Sequence, residues 1–283
     1  MAHANPTTPS GGPSTRLLNR VSFFLGAADG NRPPAQAENA VKTEGAERSR
    51  HARQLWERSE QRIRNESTFH QENLEAITAM AYSFLGEGAA PEMIEDDWLS
   101  VFYGSARAIS SKPTQLTWAR VLAGQATKPG SFSKRSLAAL QSMDLLDWES
   151  LAKIRRASVL FDKFILFIYE PKRRIYVENG IDFPTLLNLG ETGLVTFTQL
   201  SERSAISTRG MRGCVEYFDE QLSLTLHPDQ QLHTGPLALT RTGEELIPFC
   251  DAAPIPGFTS YIRSIWESQG ANVSVLKHCT EAA

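Results

Sequence analysis

The sequence predicts an α+β protein: a mainly helical N-terminal half with a long projecting helix, then a C-terminal half of short strands and helices. Three observations carry this prediction. A proline-free run from Ala35 to Leu85, with a single glycine, is rich in Ala, Glu, Arg and Gln, which are strong helix formers. Helix-start signals and Trp98, Trp118 and Trp148 crowd the stretch from Glu95 to Trp148. Beyond Val159 the apolar runs shorten, and Leu222, Leu224 and Leu226 alternate as in a half-buried strand.

Taken in order, residues 1–14 are Ala, Asn, Pro, Thr, Ser and Gly without apolar periodicity, which predicts a disordered tail. Thr15 then caps a short helix over 16–26, with Leu17, Val21, Phe24 and Leu25 on one face and Arg16 and Arg20 beside them. Such a basic amphipathic helix docks on protein or touches a membrane surface, and docking is the expectation for so short a segment. The long charged helix follows, completing a segment 15–90. Glu44/Arg48 and Glu60/Arg64 stand at the stabilising i,i+4 spacing, and a sparse seam through Trp56, Ile63 and His70 is a candidate for homo-oligomer contact.

A helical hub is expected over 91–157. The acidic Glu95, Asp96 and Asp97 suit a helix N-terminus, where carboxylates complement unpaired N–H groups. A helix over 114–123 is expected to close at Gly124, Lys128-Pro129-Gly130 forms a turn, and Ser131 or Ser133 caps the next helix. The final segment, 158–283, opens on Val159 to Tyr169, read equally well as helix end or buried strand. Asp182 is expected to cap 184–189, and Thr242 with Glu245 to form a capping box. A leucine-rich helix leading into Gly193-Leu194-Val195, and a hairpin ending at Leu239, give this segment a winged-helix-like order.

Composition bounds the function. The chain has 283 residues, 41% hydrophobic, with a net charge of −3. Residues 1–90 are neutral, 91–157 carry +2 and 158–283 carry −5. None of these is the basic footprint of a dedicated nucleic-acid binder. Cys214, Cys250 and Cys279 read as free thiols suited to a reducing cytoplasm, and no leader-like or spanning segment is read. No phosphate-binding glycine loop, metalloprotease helix or nucleophile elbow is present. No catalytic residue, cofactor or metal site is therefore expected. His227 and His233 are read as turn residues, and Cys214 could meet one of them only through the fold. The candidate nucleic-acid contacts are Lys172, Arg173, Arg174, Arg209 and Arg212. The candidate partner or membrane contacts are Leu17, Val21, Phe24, Leu25, Trp56 and Ile63.

Gln71 to Ile77, Ile94 to Leu99, Trp118 to Gly124, Pro129 to Leu137 and Leu239-Thr240-x-x-Gly243, in this linked order, resemble the bacterial family called domain of unknown function 2806. The resemblance spans roughly residues 16 to 255. It implies a bacterial, cytoplasmic protein of mobile elements or phage defence, and no established catalytic residues. Family members often carry Asp-Asn-Asp-Trp or Asp-Asp-Asp-Trp where Glu95-Asp96-Asp97-Trp98 stands here, a change that keeps the stretch acidic. The expected role is a non-enzymatic sensor or adaptor working through protein–protein contacts, with a partner from the same operon or a phage component. The alternative is a nucleic-acid-binding regulator that uses the winged-helix-like domain.

Overall fold

The computed structural model describes residues 45–86, 88–197, 205–207, 212–227 and 231–276, with backbone alone at 45–49, 205–207 and 212. The predicted tail and the 16–26 helix lie outside the described residues. The fold is α+β, helical in the N-terminal half and sheet-containing in the C-terminal half. The chain divides into two compact units, Met1–Phe84 with Ala106–Arg120, and Leu85–Ser105 with Val121–Ala283.

In the first unit α1 (Gly45–Tyr82) runs 38 residues. Its sequence holds no proline to interrupt the ladder, and Arg62–Glu66 (2.8 Å) and Arg64–Glu60 (3.7 Å) brace its surface. Buried polar groups fix its C-terminal part. Asn73 Nδ2 donates to the Arg107 carbonyl (2.9 Å), while Gln115 Nε2 donates to Asn73 Oδ1 (3.1 Å) and the Ile109 carbonyl (2.8 Å). Ile77 and Trp118 are fully buried in this unit.

In the second unit, α2 (Asp96–Ala106) starts with Asp96 and Asp97 in its first turn, as the acidic cluster predicts. Helix α3 (Lys112–Thr127), whose residues up to Arg120 belong to the first unit, does not stop at Gly124. That glycine is needed for a different reason: a Cβ there would sit 2.8 Å from the Phe132 ring. The turn at Gly130 is real (φ +86°), and Ser133 caps α4 (Lys134–Ser142) by accepting from Ser136 N. A capping box of Asp144 and Asp147 then opens α5 (Leu145–Arg155).

The Val159–Tyr169 run resolves as an antiparallel hairpin, β1 (Ser158–Leu160) and β2 (Phe164–Leu166). After it come the one-turn α6 (Arg174–Val177) and α7 (Phe183–Glu191), which Asp182 caps through Thr185 N (3.0 Å). Strand β3 (Val195–Phe197) pairs with β8 (Leu237–Leu239), and β4 (Ala205–Ser207) with β7 (Gln231–His233). The main sheet runs β2-β1-β5-β6-β9, with β5 (Arg212–Tyr217), β6 (Glu220–Thr225) and β9 (Asn272–Leu276) antiparallel. Leu222 and Leu224 face the core, as their alternation predicts. Helix α8 (Arg241–Leu246) is capped by Thr240, which accepts from Gly243 N (3.1 Å), and not by Thr242. Thr242 is buried inside the helix, and Glu245 caps another helix altogether.

Helix α9 (Phe258–Ser268) lays Phe258, Ile262 and Trp266 into the core. Buried tyrosines fasten the surrounding strands and loops. Tyr217 Oη donates to the Arg156 carbonyl (2.8 Å) and accepts from Ile255 N (2.7 Å), and Trp266 Nε1 donates to Tyr169 Oη (3.0 Å). One cysteine expectation fails. Cys250 is a free thiol, but Cys214 in β5 is disulfide-bonded. Disulfide formation depends on Cα separation in the fold, which sequence spacing does not report. The same bond removes Cys214 as a thiolate partner for His227 or His233.

Candidate functional site

Helix α7 has apolar residues on more than one side, and the core accepts only part of them. Leu186 and Leu189 are buried, while Phe183 and Leu187, one turn apart, are 66% and 43% exposed. Gly190 continues that ridge. A Cβ on it would come within 3.0 Å of the Phe197 ring, and Phe197 at the end of β3 is itself 49% exposed. Asn188 Nδ2 donates to Asp147 Oδ1 (3.0 Å), tying α7 to the start of α5, where Leu145 and Leu146 are exposed. The result is an apolar ridge with no lysine or arginine on α7. A sequence signal for it existed: Phe183, Leu186, Leu187 and Leu189 are more apolar residues than one helix face can bury.

The basic loop ahead of α6 is largely neutralised. Arg173 pairs with Glu170 (3.0 Å) and lies 5.7 Å from the centre of the Tyr261 ring, and Arg174 pairs with Glu178 (2.7 Å). The Arg173 guanidinium, by hydrogen bond and charge, holds the Glu170 carboxyl below its usual range. Lys172 is exposed and has no ion-pair partner among the described residues. Behind the loop, burial raises the Tyr169 and Tyr176 hydroxyls above their ordinary value, and the Tyr176 hydroxyl donates to the Phe167 carbonyl (3.0 Å). Those hydroxyls stay protonated and serve as hydrogen-bonding groups.

A second cationic feature was not foreseen. The Arg155 guanidinium lies between the Phe164 and Phe218 rings, at 4.4 and 4.5 Å from their centres, and donates to the Ser158 carbonyl (3.3 Å). Burial lowers its pKa from the ordinary value. Nothing in the local sequence around Arg155 announces two aromatic partners from different strands and turns.

Of the residues singled out from sequence, Lys172, Arg173 and Arg174 come together on one loop, while Trp56 (63% exposed) and Ile63 (50%) stand on α1. Arg212 is placed by its backbone in β5 opposite Thr225. Arg209, Leu17, Val21, Phe24 and Leu25 lie outside the described residues. Among the described residues, no group of three or more His, Cys, Asp or Glu side chains is placed to hold a metal ion, and no helix is long and apolar enough to cross a membrane.

The family described as Protein of unknown function (DUF2806) matches residues 57–263. The chain belongs to this family. The DUF2806 match takes in Ile63, the α7 ridge, the basic loop and Arg155, whereas Trp56 and the 16–26 segment fall outside it. No curated protein and no solved structure matches the chain.

Proposed function

We propose that this protein is a non-enzymatic adaptor of a bacterial anti-phage defence or mobile-element module, and that it works by protein–protein contact. The setting comes from the associations of the resembling family. The mode of action comes from the C-terminal half. We read the order α5, β1–β2, α6, α7, β3 and, after β4 to β7, β8 as winged-helix-like, a reading that would give α7 the role of the groove-reading helix of such domains.

The exposed face of that helix carries the proposal. A groove-reading helix presents arginine, lysine or amide groups to phosphates and base edges. Helix α7 instead presents Phe183 and Leu187, continued by Phe197, and ends in Glu191. An apolar ridge without cations suits the core of a protein interface, where aromatic residues are enriched and charged ones depleted.

The test compares two variants in bacteria that carry the gene with its neighbours and are challenged with phage. Phe183→Asp with Leu187→Asp is expected to abolish plaque reduction while circular dichroism and Tm of the purified chain stay unchanged. Alanine at Lys172, Arg173 and Arg174 together is expected to leave it intact. Retention of a DNA duplex or an RNA in a gel shift, lost between about 50 and 200 mM salt, overturns the reading in favour of the nucleic-acid regulator.

A further inference from the structure

We draw no further inference here: the strongest candidate, the exposed apolar face of the long helix α1 at Trp56 and Ile63, carries nothing because no feature of the structure shows what covers it.

Discussion

Arg155 is stacked 4.5 Å from the ring centre of Phe218, and Phe218 has a φ of +51°, the one positive value at a non-glycine position among the described residues. Phe218 and Asp219 form the two-residue turn between β5 and β6, where Tyr217 faces Glu220. Glycine is the usual residue at the first position of such a turn, and a phenylalanine there costs on the order of 1–3 kcal/mol. The stack with Arg155 offsets part of that cost. Urea denaturation of Arg155→Ala, Phe218→Ala and the double variant should give a coupling energy of about 0.5–2 kcal/mol. Additive losses would mean that the stack contributes nothing.

Glu245 joins α8 to the N-terminus of α4. Its Oε2 accepts from Ser133 N (2.7 Å), Ser133 Oγ (3.1 Å) and Ser136 Oγ, and its Oε1 accepts from Arg241 Nε (2.7 Å). With the carboxylate side chain 9% exposed, removing it strands several donors away from water. Glu245→Ala is expected to destabilise by about 2 kcal/mol, from the donors of Ser133 and the buried Ser136, since Arg241, 68% exposed, turns to water. Ser133→Ala, which loses the cap but leaves the carboxylate its other donors, is expected to cost about 1 kcal/mol. Equal losses in guanidinium titrations would contradict this ranking.

These two cases mark where the sequence stops being legible. Local signals worked where the partner is three or four residues away, as with Ser133, Asp182 and the acidic start of α2. The direct pairing of Val195 with Leu239 is not a local signal, because β4 to β7 lie between the two strands. Glu245 stands three residues from Thr242, so a capping box fits the spacing, yet the serines it accepts from lie 109 and 112 residues back. Gly124 reads as a helix end because glycine commonly is one, whereas here the Phe132 ring takes the space. On the candidate surface the basic residues of 172–174 were visible, but their neutralisation by Glu170 and Glu178 depends on the geometry of a one-turn helix.

Two glycines separate crowding from conformation. A Cβ at Gly243 would lie 2.1 Å from the Leu194 carbonyl oxygen, whereas Gly257 has φ +76° and open space around it. Gly243→Ala is expected to cost about 3 kcal/mol or more, because backbone must move. Gly257→Ala is expected to cost about 1 kcal/mol, the penalty of a left-handed alanine. Thermal unfolding distinguishes the two, and an unchanged Tm in Gly243→Ala would refute the crowding.

Cys250 gives the pH prediction. Burial raises its thiol from an ordinary 9.0 to about 12, and the nearby positive charge of Arg155 opposes this only in part. At pH 9 about one molecule in a thousand then carries the thiolate, where an ordinary cysteine is about half ionised. Iodoacetamide at pH 9 should therefore modify Cys250 at least a hundredfold more slowly in the folded chain than in urea. The linkage has a definite sign. With the folded value above the unfolded one, the contribution to stability is fully present below pH 9 and is lost as the pH climbs from 9 towards 12. Cys250→Ala should flatten the fall in stability across that window, and an identical slope in both proteins would show that Cys250 does not govern it.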